Sequence, residues 1–575
     1  MIYKLLWRFK LIKDIYKRSV PEELTRRYIL PTRIVWQSQD LVQNKSGDEL
    51  LISKSHQSAL QNLSCCILKY EDMPSGILLD FGCELNGGIR ITVNETSESK
   101  PVRLRIRFGE SVSEAMGQPN NNHAMHDSIV EAPWLGTFEF GNTGFRFVRV
   151  DIVDKNTFIE IKQLCAVLVF RDLEYKGKFE CNDERLNKIW QTGAYTVHLN
   201  MQEYLWDGLK RDRLVWLGDM HPEVMTINYV FGNNQIVPQS LDFVKDITPL
   251  PKWINEIPSY SLWWILVQKD WYMYQGDIKY LKNQRSYLLG LIDQLLGYIN
   301  ESNQEILPNQ RFLDWPTTGD KNALDGGLQA MMILAFKAGA WLCKHLQEFS
   351  EEQKCLDAVA RLSRIKPIDT HRKQAIAIMA LANMLDSEKT NNLLSAEPCD
   401  GISTFFGYYI LQAHSLIYNY QEALDIIRDY WGAMLDLGAT TFWEDFDIAW
   451  KDSSRIDEIV PLGKKDFHIE YGKGCYKSTR HSLCHGWASG PTAWLSEHVL
   501  GFQPLEPGSK KLLIKPELAD LNWAKGTFPT PYGKVTVSHE KDKHGQVHTI
   551  IEKPDDIEII KKDNIKNKGL EKIVS

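Results

Sequence analysis

Three aspartates in one short stretch, "WDGLKRDRLVWLGDMHPE" from Trp206 to Glu223, have the side chains for proton transfer. Asp207, Asp212 and Asp219 share this stretch with Lys210, Arg211 and Arg213 and with the indoles Trp206 and Trp216. Indoles lower the local dielectric, neighbouring carboxylates raise one another's pKa, and the cations lower others. Groups whose acidities are pushed apart in this way can serve as a general acid and a general base. A network of ion pairs capping a helix junction accounts for the same composition, and both readings stay open on these residues alone.

A second carboxylate lies far away in the chain. In "LGATTFWEDFDIAW", Leu437–Trp450, Glu444 follows Trp443 directly after a Gly-Ala-Thr-Thr turn. Further on, "STRHSLCHGWASGPTAWL" places His481 and His485 ahead of Gly486 and Gly490. His481 is read as an imidazole satisfied within the fold.

Elements that bring such residues together follow from the texture of the chain. The spacing of Asp207, Asp212 and Asp219 scatters them around a helix at ~100° per residue. Gly208, Gly218 and His221-Pro222 discourage a helix as well. The aspartates therefore belong to a loop between two helices, with Pro222 opening the next helix and Gly232 closing it. From about 32 to 172, alternating segments such as "GIRITVNE", "VRLRIRFGE" and "FRFVRVDIV" between Gly, Asn and Pro predict strands. From about 180 to 500, apolar residues recur at helical spacing. After Gly501 short strands return, and the lysine-rich end from Lys561 reads as a tail. The expected division is a basic segment at 1–31, a β-sandwich at 32–175, a helical domain at 176–500, a β-domain at 501–560 and a tail at 561–575. Some ten to twelve helices with short connections fit hairpins closed into a ring, though periodicity does not distinguish a ring from an open array.

At 575 residues the chain exceeds the size of a single core and implies two or three domains. Its formal charge of −7, without a long basic run past the start, argues against nucleic acid as a partner. Eighteen tryptophans suit both cores and the stacking of sugar rings. Ten scattered cysteines include no CxxC pair or zinc spacing, which favours free thiols. "MIYKLLWRFKLIKDIYKR" has no apolar run of signal-peptide length, and no transmembrane segment is expected. Together with the thiols, this predicts a cytoplasmic location. The basic start itself fits a solvated helix, a surface-associated amphipathic helix or the stub of a longer protein.

The motifs resemble those of the bacterial α-L-rhamnosidases of glycoside hydrolase family 78. "DGLKRDRLVWLGD" is similar to the family's aspartate-rich signature, "GATTFWED" to its GATT-x-WE and "SLCHGWASG" to its SLNH-x-x-x-G. Upstream, "LLDFGCELNGGIRI", "RIRFGE" and "FRFVRV" resemble segments of the β-domain that precedes the catalytic domain. "LIKPELADLNWAKGTFPTPYGKVTV" resembles the closing β-domain, so the likeness runs in order from about 30 to 555. It implies an (α/α)6 barrel flanked by N-terminal and C-terminal β-sandwich domains, and inverting hydrolysis of terminal α-L-rhamnosides. By position it makes Asp212 the general acid and Glu444 the general base. Asp207 and Asp219 become carboxylates that hold sugar hydroxyls, with His485 lining the same subsite. Asp314 and Trp315 in "FLDWPTTGD" match a G-D-W segment. Trp443 becomes a ring-stacking wall, and Arg211 and Trp216 join the substrate-binding set. Tyr260 is expected on an apolar wall facing the deoxy methyl of rhamnose. Asp212 is expected to have the raised pKa, and Glu444 to remain ionised. Two departures bear on rate and aglycone choice rather than on the sugar: Asp212 stands where the family has Glu, and Gly208-Leu209 where it has Cys-Pro. No metal or organic cofactor is implied, and the expected partner is a rhamnose-containing glycoside or oligosaccharide. A non-catalytic carbohydrate-binding relative and another enzyme of this architecture, such as a uronosidase or a glycoside phosphorylase, remain as rival readings.

Overall fold

The structure is a computed structural model that describes residues 23–54, 58, 64–118, 126–308, 310–473 and 476–561. The expectations for residues 1–22, for Cys475 and for the tail beyond Lys561 fall outside this set.

Alternation of apolar and polar residues builds the first domain. Its strands are β1 (Leu24–Ile29), β2 (Arg33–Gln37), β3 (Cys66–Tyr70), β4 (Gly76–Thr96), β5 (Val102–Gly109), β6 (Asp127–Ala132), β7 (Thr137–Ile152) and β8 (Thr157–Arg171). They form one antiparallel sheet in the order β1-β8-β4-β7-β5-β6, with β2 added to the start of β4 and β3 to the start of β8. The register of β4 on β7 shifts between Asp80 and Leu85, and the sheet encloses a core that includes Leu79, Ile91, Ile106, Phe145, Val150 and Leu164. Residues 24–29, assigned from sequence to a basic leading segment, instead pair with β8 from Leu24–Arg171 to Ile29–Ala166. Six strand residues leave too little periodicity to be told from a charged linker.

Twelve helical segments among the described residues follow as six hairpins: α1 (Glu184–Asn200), α2 (Met220–Val230), α3 (Ile236–Asp246), α4 (Pro258–Gln275), α5 (Ile278–Leu296), α6 (Lys321–Leu346), α7 (Phe349–Leu362), α8 (Lys373–Leu381), α9 (Ser387–Leu394), α10 (Gly407–Leu416), α11 (Tyr420–Ile426, continuing to Asp436) and α12 (Gly490–Trp494, continuing to Val499). The even-numbered helices touch in sequence from α2 to α12, and α12 touches α2, so the hairpins close into a ring. Every residue of α2 is inside, while α3, α5 and α7 keep exposed polar faces. Helix α6 is long and apolar enough by composition to cross a membrane, and here 83% of its apolar window is buried in the ring.

The last domain has two sheets, one of the strands β10 (Phe502–Pro504), β11 (Lys511–Ile514) and β15 (Glu558–Lys561), the other of β14 (Val547–Glu552), β13 (Gly533–Lys541), β12 (Trp523–Thr530) and β9 (Lys178–Cys181), each in that spatial order. Strand β9 (Lys178–Cys181) lies at the start of the span assigned from sequence to the barrel, yet it pairs with β12 (Trp523–Thr530) of this closing domain. The chain thus enters the ring through the sheet that ends it. Nine described cysteines are free thiols, as their spacing implies.

The first sandwich is fastened to the barrel at loops that matter below. Arg146 of β7 bonds Asp80 and donates to the Gly438 carbonyl at 3.1 Å. The Glu84 N–H donates to Thr440 Oγ1 at 2.9 Å, and the Gly144 N–H to the Leu209 carbonyl at 3.1 Å.

Candidate active site

Residues 201–219 form the expected loop between α1 and α2, with Pro222 as the third residue of α2 and Gly232 closing it at φ 72°. Asp219 occupies the position before the helix, but its side chain makes no capping bond, so the aspartates are not spent on the helix end. Asp212 and Arg213 both have left-handed backbone, at φ 58° and 55°. For residues other than glycine each such conformation costs about 1–3 kcal/mol and persists only where the surroundings enforce it. Here the Asp207 N–H donates to the Leu214 carbonyl at 3.1 Å and the Leu214 N–H to Asp207 Oδ1 at 2.9 Å, cinching the loop. Arg213 leaves the site, donating to the Leu209 carbonyl and reaching Asn86 and Asn142 of the sandwich while stacking over Trp206.

The segment around His485 runs beside this loop, with Gly208 bridged to His485 and the Gly486 N–H donating to the Asp207 carbonyl at 2.8 Å. Tyr260 donates to Asp219 Oδ1 at 3.2 Å, and His485 Nε2 lies 3.1 Å from Asp219 Oδ2. Gly218 makes this possible, because a Cβ there would sit 2.4 Å from the Tyr260 ring. Burial pushes the Asp219 carboxyl up to about 8 and the His485 imidazole down to about 4, so the two face each other uncharged near neutrality. Burial, then the nearby Asp219, raises Asp207 well above the usual carboxylate range.

Glu444 arrives from the turn after α11, 233 residues from Arg211 in the chain. Its Oε2 accepts the Ser482 N–H at 3.1 Å, and its Oε1 accepts from Arg211 Nη2. The same guanidinium donates through Nη1 to Asp212 Oδ2 at 3.0 Å and through Nε to the Arg480 carbonyl at 2.9 Å. One planar fork thus spans both candidate catalytic carboxyls. The Asp212 side chain is 36% exposed at the mouth, whereas Glu444 is buried. Burial raises the proton affinity of Glu444, the carboxyl expected to stay ionised, with His485 and Arg211 acting against the rise.

Two further expectations change. Trp443 is 0% exposed, packed on Phe467 with ring centroids 4.4 Å apart, and is not a stacking wall: the turn that presents Glu444 to the site points the preceding side chain into the core. Tyr260 is buried with its hydroxyl engaged by Asp219, so it orients a carboxyl rather than lining an apolar wall. Trp216 packs edge-on against Tyr260, and Trp315, 45% exposed, stands beside Phe312 and Tyr476 as an open indole. Asp314 is buried below it, accepting the Trp315 N–H at 2.8 Å and the Ser403 hydroxyl, and burial pushes it up to about 7. Asp445 was not foreseen. Burial and the charge of Asp314 raise it to about 7, and its N–H donates to His481 Nε2 at 3.0 Å, which gives His481 its partner.

Lys210, the remaining cation of the loop, is buried against Glu110 at 2.9 Å and Glu114 at 3.1 Å. Glu110, Glu114 and His468 stand close enough together to suggest a metal, but the Lys210 ammonium, 3.4 Å from His468 Nε2, already supplies the cation there.

These shifts set an expected pH response. A carboxyl raised on folding stabilises fully below its unfolded value, and that contribution is lost as pH rises through the folded value. For Asp219, Asp314 and Asp445 the loss runs from the usual carboxylate range up to about 7 or 8. A histidine lowered on folding, such as His485, works the other way and matters only below 6.5. Stability against denaturant is therefore expected to fall from pH 6.5 to about 8.5, and Asp219→Asn should flatten the fall. An unchanged slope in that variant would contradict the raised Asp219.

Comparisons with known proteins follow the same outline. Residues 174–351 match the family model described as the bacterial alpha-L-rhamnosidase six-hairpin glycosidase domain, and residues 501–559 the one described as the bacterial alpha-L-rhamnosidase C-terminal domain. The chain is 24% identical over 526 residues to an alpha-L-rhamnosidase of Alteromonas sp. (strain LOR), covering 80% of this chain and 53% of that protein. An alpha-L-rhamnosidase of Formosa agariphila is 22% identical over 517 residues, covering 80% and 52%. The chain thus spans about half the length of the curated relatives it matches. Among solved structures, the family 78 rhamnosidase of Bacillus sp. GL1 superimposes with a TM-score of 0.73 at 20% identity, over 90% of this chain and 55% of that one. The Klebsiella oxytoca rhamnosidase with rhamnose bound gives 0.65 at 18% identity, over 83% and 96%.

Proposed function

We propose, from the premise that this chain carries the six-hairpin and C-terminal domains of the bacterial α-L-rhamnosidases, that it hydrolyses terminal α-L-rhamnosides with inversion at the anomeric carbon. The observation that carries this reading is the Arg211 guanidinium spanning Asp212 and Glu444. It receives each carboxyl on a different nitrogen, so the two stand on separate arms of one fork. An inverting glycosidase requires its two carboxyls to stand apart, because water must fit between the base and the sugar while the acid reaches the leaving oxygen from the other face. Glu444 is the base: Ser482 and Arg211 fix its two oxygens, and burial gives it the proton affinity to take a proton from water. Asp212, at the mouth, is the acid, and it must leave Arg211 to bring a proton to the departing oxygen.

Asp207, Asp219 and His485 on the floor, with Arg211 alongside, offer acceptors and donors to the ring hydroxyls, while Trp216 and Trp315 supply apolar surface. Of the cations on the loop, Lys210 is buried with Glu110 and Glu114, Arg213 turns to the sandwich, and Arg211 is engaged by Asp212 and Glu444, which leaves a sugar carboxylate no cation of this loop to pair with and disfavours a uronosidase. A neutral deoxy sugar needs no such partner. The binding-protein reading retains one specific support, the shorter Asp212 held by Arg211.

A panel of nitrophenyl glycosides separates these readings. Nitrophenol is expected from the α-L-rhamnoside and not from glucuronides, and NMR at early times should show the sugar released as the β-anomer. Retained α-anomer would refute inversion. Rhamnose binding without release would favour the binder.

A further inference from the structure

The "RIRFGE" segment ends in a residue that the acid–base reading does not use. Glu110 follows β5, belongs to the N-terminal sandwich and is completely buried where that domain meets the barrel. Its Oε2 accepts the Leu483 N–H at 2.6 Å and lies 2.9 Å from Lys210 Nζ, and its Oε1 accepts the Ser482 hydroxyl at 3.4 Å. Each of these groups adjoins a contact to Glu444. The Ser482 N–H donates to Glu444 Oε2 at 3.1 Å, and the Glu444 N–H donates back to the Ser482 carbonyl at 3.0 Å. Arg211, the next residue after Lys210, donates to Glu444 Oε1. Glu110 therefore grips from behind both arms that hold the two oxygens of Glu444.

Ordinary packing between domains does not require this. A buried carboxylate needs a cation and donors to offset its desolvation, and Lys210 alone, already paired with Glu114 at 3.1 Å and bonded to the carbonyls of Thr479 and His481, would satisfy a structural clamp. The additional bonds from Glu110 go to the two residues, Ser482 and Leu483, whose backbone sets where the Glu444 carboxyl stands. Another contact along the same junction, Arg33 to the Asp457 carbonyl, reaches nothing on Glu444.

We propose that Glu110 is a positioning residue for Glu444, through which the β-sandwich sets part of the acid–base geometry of a site on the barrel. This rests on the reading of Glu444 as the base, and the test separates the two.

Glu110→Gln keeps the shape and an acceptor for Leu483 but loses the charge facing Lys210. The double variant Glu110→Gln/Lys210→Met leaves no unmatched charge at the clamp and guards against misfolding of the single one. Arg33→Ala is the control for a loosened junction. In each full-length protein, kcat and KM on nitrophenyl α-L-rhamnoside, L-rhamnose affinity by calorimetry and the melting temperature are measured. Carboxyl titration is followed by NMR with carbon-13 at glutamate Cδ, the Glu444 signal being identified by its absence in Glu444→Gln. Displacements of about 1 Å at a reacting group can cost ~10²-fold, so Glu110→Gln is expected to lower kcat by about 10²-fold with KM and L-rhamnose affinity within about two-fold of the parent. The titration midpoint of Glu444 should shift in both Glu110 variants and stay in place in Arg33→Ala, which should also keep its kcat. An unmoved Glu444 signal in the folded variants, or a loss of activity that Arg33→Ala reproduces, overturns the proposal. Should the parent release no rhamnose, the acid–base reading fails by itself, while the Glu444 titration still decides whether Glu110 positions that carboxyl.

Discussion

Glu444→Gln is expected to lower kcat by about 10²- to 10⁴-fold on every α-L-rhamnoside, whatever its leaving group, while leaving L-rhamnose affinity nearly intact. Glutamine reproduces the size of the side chain, and its carbonyl oxygen can still accept from Ser482 or Arg211. What it lacks is a basic oxygen. Attack by neutral water needs its proton removed as the bond to the anomeric carbon forms, and a better leaving group does not remove that need. The reduction should therefore be of similar size for nitrophenyl and alkyl rhamnosides. Steady-state kinetics on both, with calorimetry of L-rhamnose binding, checks it. If kcat stays within about ten-fold of the parent on both substrates, Glu444 is not the base.

How far such a site is legible in the chain depends on the range of the forces that assemble it. Asp207, Asp212 and Asp219 are recognisable because helix-breaking glycines and a proline place them on a loop, and those are local preferences that need no knowledge of the fold. The ring of hairpins is legible only in part: α2 is buried on every side and α3 and α7 on one, which separates an inner from an outer layer, but what closes the inner layer is the contact of α12 with α2, which periodicity does not contain.

Trp443 shows where that reasoning stops. Its neighbour Glu444 faces the site, and a bend in the backbone between them decides that the indole faces Phe467 instead. The role of Arg211 depends on an oxygen 233 residues away, which no spacing predicts. Glu110 is the extreme case, since its partners Lys210, Ser482 and Leu483 come from two loops of a different domain. The stretch that raised two readings supports elements of both. Its cations do form buried ion pairs, Lys210 holding the loop to Glu110 of the neighbouring domain and Arg211 to Glu444 of the barrel, yet Asp219 caps no helix. Strand β9 escapes prediction for the same reason as Glu110, because its pairing with β12 joins parts of the chain that meet only after the barrel closes.

Asp212→Asn should discriminate between leaving groups where Glu444→Gln does not. A general acid matters in proportion to how badly the departing oxygen needs a proton, and proton transfer of this kind contributes about 10²- to 10⁴-fold. Alkyl rhamnosides, whose alkoxides leave poorly, are expected to lose most of that factor in the variant, whereas nitrophenyl rhamnoside should lose far less. The loop geometry sharpens the expectation for Asp212→Glu. Asp212 stands at φ 58° with its carboxyl on Arg211 Nη1 at 3.0 Å, so one more methylene pushes the carboxyl past the guanidinium or forces the loop to yield. Misplacement by about 1 Å costs ~10²-fold, and Asp212→Glu should therefore also be slower than the parent if the pocket is shaped for the shorter acid. Faster hydrolysis by Asp212→Glu would instead mean that the pocket still accommodates the longer acid and that the parent is an attenuated catalyst. If Asp212→Asn turns over alkyl rhamnosides within a few-fold of the parent, the acid is another carboxyl. Asp219, held near 8 and so protonated at neutral pH, is then the residue to replace next, because it already has a proton to give and lies on the floor of the same pocket.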